Sequence, residues 1–387
     1  LASQRTRSKT LIIKFLLAKN DKRSKLPGKL IIFTPSNSYA YITFWPNSLC
    51  KYSMKTLTQL ASLLSTAMLL SIAAVFFLFA LLVNFWLRPY IPQRPQKSPE
   101  MLALEGLWQA PDTLRIPSDA LGAKIRYGKE LISHTARYFG PEGKLTQSSN
   151  GLNCQSCHLE AGTKPFGNNY AAVAATYPKY RARSGTTESI EKRINDCFER
   201  SLNGQAIAED SPEMQAMVAY MQWLGQNVPK GEKPKGAGIV DLPYLSRAAS
   251  PEKGKALYLQ KCASCHQAEG QGLKQAGAEW LYPPLWGAQS FNEGAGLYRI
   301  SRLAGFLKSS MPLGASFQKP ILSDEEAWDI AAYIESMPHP KMNLQKDWPN
   351  IAQKPIDHPF GPFADGFSEV QHKYGPFAPI VSSRKRP

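Results

Sequence analysis

"CQSCH", Cys154–His158, and "CASCH", Cys262–His266, are two copies of C-x-x-C-H. That spacing is the attachment signature of c-type haem. Two thiols add to the porphyrin vinyl groups, and the adjacent histidine is held under the iron as proximal ligand. Both pairs carry the histidine, which disfavours a disulfide reading. Two covalently bound haem c groups are expected, held through Cys154, Cys157, Cys262 and Cys265, with His158 and His266 on the metals.

The residues around the motifs repeat as well. "YGKELI" (Tyr127–Ile132) precedes the first copy and "VAYMQWLG" (Val218–Gly225) follows it. "KGKALY" (Lys253–Tyr258) and "AAYIESMP" (Ala331–Pro338) stand in the same order around the second. Ser211-Pro212-Glu213, Ser250-Pro251-Glu252 and Ser323-Asp324-Glu325-Glu326 read as helix starts, a capping serine followed by acidic residues at the positive end of the dipole. Strand signal is scarce. The fold expected is all-α, two class I cytochrome c-like domains in tandem. Domains of ~100 residues have thin cores, and a covalent haem supplies apolar interior. Tyr220, Trp223, Trp328, Tyr333, Met214, Met217 and Met221 read as core.

Outside the repeat, Leu57–Leu87 is uncharged and long enough to span a bilayer of ~30 Å. No small-x-small cleavage site follows, so an N-terminal transmembrane signal-anchor helix at residues 54–90 is expected, with Trp86 and Tyr90 at the far interface. Lys51 and Lys55 favour a cytoplasmic N-terminus, opposed by Arg88 and Arg94. The bulk would face the periplasmic side of the inner membrane, or be free in the periplasm if the segment is cleaved. Residues 1–53 lack periodicity and precede the first methionine, Met54. They read as a non-native upstream extension or a disordered tail. Much of the +16 net charge of the 387-residue chain sits there, opposed only by Asp21. No basic stripe interleaved with aromatics runs through the folded part, so nucleic acid is not an expected partner. The remaining boundaries expected are a first domain at 91–229 opening on the Pro-rich "IPQRPQKSP", a linker at 230–248, a second domain at 249–338, and a Pro- and aromatic-rich C-terminal segment at 339–387, extended and packed on the domains. His134, His339, His358 and His372 read as structural or surface residues.

Each iron needs a sixth ligand or an open site. "KSSMPLG" (Lys308–Gly314) offers Met311, and His/Met ligation suits electron transfer. Lys308 is a weaker alternative, and Met337 lies too deep in the final helix. The first domain has no Met-Pro loop. It has Cys197, 39 residues after His158. Arg193 and Arg200, at i−4 and i+3, flank that thiol on a helix, and cations stabilise a thiolate. Cys197 reads either as a distal thiolate ligand or as a buried structural cysteine.

"NCQSCHLEAGTKPFGNNY", "YPKYRARSGTTESIEKRINDCFERSLNG" and "EVQHKYGPFAPI" resemble the thiosulfate dehydrogenase family of dihaem cytochromes, over most of residues 100–380. The resemblance implies that His158 and Cys197 are axial ligands of a catalytic first haem. It implies that Arg183 of "RARSG", Arg193 and Ser201 of "CFERS" bind substrate, and that Met311 is the distal ligand of the second haem. Ser310 stands where some members have a lysine, so plain His/Met ligation is expected. The implied function is coupling of two thiosulfates to tetrathionate, with reversal open, electrons passing to the second haem and then to an external acceptor such as a cytochrome c. Guanidinium forks suit such oxyanions. For Arg181 and Arg200 a solvated face or a haem-propionate contact is the expected role. The alternative is a membrane-anchored dihaem electron carrier without a substrate of its own.

Overall fold

The structure, a computed structural model, describes residues 30–33, 39–42, 54–87, 105–275 and 279–384. Cys50, the spacer at 91–99 and most of residues 1–53 lie outside the described residues. The chain falls into two units, Leu1–Pro95 and Gln96–Pro387.

In the first unit, β1 (Leu30–Phe33) pairs antiparallel with β2 (Tyr39–Ile42). Helix α1 (Met54–Leu87) follows. Its stretch Thr56–Trp86 is long and apolar enough to cross a membrane. The hydroxyls of Ser62, Ser65, Thr66 and Ser71 donate to carbonyls three or four residues back. Polar side chains inside an apolar helix are satisfied locally in this way.

The second unit holds both haem motifs. Its principal helices are α2 (Ala120–Ser133), α3 (Ile190–Arg200), α4 (Pro212–Leu224), α5 (Pro251–Lys261), α6 (Ile300–Ser310) and α7 (Asp324–Ser336). Asp119, Ser189, Ser211, Ser250 and Ser323 each cap one through a side-chain oxygen that accepts a backbone N–H. Glu326 returns the bond to Ser323, closing a capping box. Helix α2 crosses α4, and α5 crosses α7. At each crossing a glycine permits the contact: a Cβ on Gly128 would lie 2.0 Å from the Ala216 carbonyl oxygen, and one on Gly254 1.9 Å from that of Asp329. These are the glycines of "YGKELI" and "KGKALY", so the repeat records a shared helix–helix contact.

Each crossing anchors its own core. Ile125, Leu131, Met214, Met217 and Tyr220 are buried in the first; Tyr258, Ile300, Trp328 and Ile334 are buried in the second. The all-α expectation needs a small correction. Two hairpins, β3 (Lys179–Arg181) with β4 (Thr186–Glu188) and β5 (Leu273–Lys274) with β6 (Trp280–Tyr282), interrupt the helices. They are too short to show an alternation in sequence. Met337 is also not inside a helix; it caps the end of α7 and packs on the second core.

The two domains meet through polar and apolar contacts. Asn150 donates to the Ser290 carbonyl at 2.9 Å, and Asn292 to the Glu199 carbonyl at 2.8 Å. Phe166 and Phe317 pack against each other, tilted by 35°, with centroids 4.2 Å apart. A small cluster of Ile239, Leu297 and Phe306 is packed by Cys157, Leu159 and Met311. Residues 339–384 run along this seam. They are not wholly extended: Ser368 caps α8 (Glu369–Tyr374), and α9 (Ala378–Arg384) follows, placing Phe377 and Ile380 in the second core.

Candidate active site

Helix α3 carries the lone thiol. Ile190, Arg193, Ile194, Cys197 and Ser201 recur at spacings of three and four, so they form one stripe. That stripe is one wall of a cavity whose other lining includes Cys154, Cys157, His158, Tyr170, Met217 and Met221. His158 is fixed by two contacts. Its Nδ1 bonds the Asn168 carbonyl at 2.5 Å, and its ring stacks on Tyr170 with centroids 4.6 Å apart. An Nδ1–H given to a carbonyl leaves Nε2 as the metal-binding atom. Burial pushes the His158 pKa down to about 4, which keeps the imidazole neutral.

Cys197 shares this cavity with His158. Arg193 donates to its Sγ through Nη1 at 3.3 Å. The sulfur in turn raises the Arg193 pKa further above its ordinary value, chiefly by charge. The lining fits a c-type haem: two thiols and a histidine on one strip of chain, apolar side chains around the space, and a sulfur donor on α3 facing it.

A second chamber opens from the first and shares Cys157, His158, Asn168, Arg193, Cys197 and Ser201 with it. Its further lining includes Arg181, Arg183, Arg299 and Arg302. Arg183 donates through Nη1 to the Gly294 carbonyl at 3.3 Å and lies over the Trp348 ring at 5.8 Å. Burial, then Arg200 and Arg193 nearby, push its pKa down to about 10, so it remains a cation at neutral pH. Arg181 leans on Glu188 at 3.8 Å.

Arg200 does not flank Cys197. It turns away into a bidentate pair with Asp347, at 2.7 and 2.8 Å, with both side chains 10% exposed. It is neither solvated nor free, because the C-terminal segment supplies a carboxylate that the local sequence does not announce. Asp347, Trp348, Gly294, Arg299 and Arg302 escaped the sequence reading, since they come from elements far along the chain.

The comparisons fit this geometry. A family model described as "SoxA/TsdA, cytochrome c domain" matches residues 144–229, and one described as "Cytochrome c" matches residues 251–338. The thiosulfate dehydrogenase of Allochromatium vinosum is 43% identical, over 59% of this chain and 83% of that one. The thiosulfate dehydrogenase of Psychrobacter arcticus is 41% identical, over 62% and 71%. The chain belongs to the thiosulfate dehydrogenase family. It is an oxidoreductase built on cytochrome c domains in tandem. Among solved structures, thiosulfate dehydrogenase (TsdBA) from Marichromatium purpuratum matches with a TM-score of 0.56 and 32% identity, over 60% of this chain and half of that one.

The second domain brings Cys262, Cys265, His266 and Met311 to one cavity. The Nδ1 of His266 bonds the Pro283 carbonyl at 2.8 Å, again leaving Nε2 for metal. Met311 follows directly on α6, whose last turn delivers it. Lys308 points elsewhere: its ammonium donates to the Leu322 carbonyl at 2.8 Å and pairs with Asp324 at 2.8 Å.

Proposed function

We propose that this protein couples two thiosulfates to tetrathionate. His158 and Cys197 would hold the haem of the first domain, and His266 and Met311 that of the second. The observation that carries the reading is the Arg193–Cys197 contact at 3.3 Å in the cavity that also holds His158, with Ser201 and Arg183 at the adjoining chamber.

Thiosulfate is a small dianion. Arg183 and Arg193 supply guanidinium forks, and the Ser201 hydroxyl an additional donor. Cys197 Sγ and the outer sulfur of one thiosulfate join in an S–S bond, with loss of two electrons. The haem groups, when bound, supply the acceptors, each taking one electron. The outer sulfur of a second thiosulfate then attacks the outer sulfur of the adduct. Tetrathionate departs and Cys197 regains its thiolate, as in thiol–disulfide exchange. The same parts run in reverse for tetrathionate reduction. Cys157, Leu159 and Met311 pack on one apolar cluster, which supports electron passage from the first haem to the second, and an external acceptor such as a cytochrome c would take the electrons on. The apolar stretch of α1 supports anchoring by residues 57–87 with the catalytic unit on the periplasmic side of the inner membrane.

The test is thiosulfate-dependent reduction by wild type and Cys197→Gly, with haem spectra of both. Loss of turnover with both haems loaded is expected. Full turnover by the variant would remove the catalytic role of Cys197, and no thiosulfate-dependent reduction by wild type would leave the substrate-free electron carrier as the better reading.

A further inference from the structure

We infer that Arg299 and Arg302 of the second domain form an oxyanion-binding wall that completes the first domain's site. The inference rests on the proposed function for one of its two anion sources.

The chamber beside Cys197 is lined by Arg181, Arg183, Arg193, Arg299 and Arg302, with no carboxylate lining it among the described residues. The last two start α6 and come from beyond the domain seam. Arg299 spends Nε and Nη2 on the buried Asp357, which also accepts from Ser301. Arg302 spends only Nη2, on Asp241, whose side chain is 74% exposed. Its Nε is buried with no partner among the described residues. Among the described residues the Nη1 atoms of both arginines also have no hydrogen bond. Unspent donors therefore remain on two side chains that line the chamber.

Two anionic chemistries reach this wall. Arg193 is the only lysine or arginine among the described residues lining the first cavity, and one of its donors is spent on Cys197. The propionates of a haem held there would find further cations on the chamber wall. A second thiosulfate must likewise approach Cys197 beside a first, against the repulsion of two dianions. Both are oxyanions met best by guanidinium forks.

Arg302 is the position to change, because Asp241 is solvated and loses little when its partner goes. Holoprotein carrying Arg302→Gln, with Arg302→Lys beside it, is titrated for the reduction potential of the His/Cys haem. Thiosulfate dependence of turnover is measured on the same samples. A lower potential in Arg302→Gln, restored by Arg302→Lys, identifies a haem carboxylate as the anion. An unchanged potential with a severalfold higher half-saturating thiosulfate identifies the second substrate. Loaded Arg302→Gln matching wild type in both quantities overturns the wall. If wild type shows no thiosulfate-dependent reduction, the proposed function fails, and the potential alone decides the wall.

Discussion

Arg193 and Cys197 sit one helical turn apart, and their contact is the smallest unit on which the proposed chemistry turns. A guanidinium at 3.3 Å donates to the sulfur and stays charged while doing so. Arg193→Gln keeps a donor but removes the charge. We expect turnover to fall by about 10²–10³-fold, as when one electrostatic donor is lost from a reacting centre. Steady-state kinetics on haem-loaded protein check this. Asp347→Asn acts differently, since it strands the Arg200 cation, whose side chain is 10% exposed. Breaking a buried pair from one side costs about 3–5 kcal/mol, readable in denaturant unfolding. The Arg193 contact was legible in the sequence because four residues along a helix is a fixed geometry. The Arg200 direction was not, because its partner lies 147 positions away. Periodicity reports which residues share a face, and says nothing of what the rest of the chain brings to it.

At the scale of elements, the crossings of α2 with α4 and of α5 with α7 anchor the two domains that carry the C-x-x-C-H motifs. Both need a backbone that approaches within reach of a missing side chain. Gly254→Ala would press its methyl into the Asp329 carbonyl, and α7 would have to retreat. We expect a loss of about 1–3 kcal/mol, the usual cost of overpacking. Unfolding of the holoprotein measures it. The helices and their caps were readable because capping serines and apolar spacing are local. The hairpins were not, since strands of two or three residues show no alternation. Helices α8 and α9 were hidden for another reason: Pro, Gly and aromatic residues dominate the flanking sequence, and the helices form where they dock on the second core.

For the whole molecule, stability against acid is set partly by buried histidines. His358 lies edge-on to Trp348, centroids 5.7 Å apart, and accepts a hydrogen bond from the Phe360 N–H. Burial first, then the charges of Lys354, Arg183 and Arg299, push its pKa down to about 4. The unfolded chain titrates near the ordinary value of ~6.5. Between those values the unfolded state binds the proton and the folded state does not. Stability therefore falls as pH drops from about 6.5 towards 4, by roughly 3 kcal/mol from this residue. Buried His339, also shifted down by burial, adds in the same direction. Unfolding free energies measured across that pH range check the sign, and His358→Gln should flatten the slope.

The backbone N–H of Trp348 donates to the Arg183 carbonyl at 2.7 Å, while Asp357 grips Arg299. Both clasps come from the C-terminal segment, so one stretch of chain braces an arginine of each domain. Truncating the protein ahead of residue 345 would release both at once and leave each C-x-x-C-H motif in place.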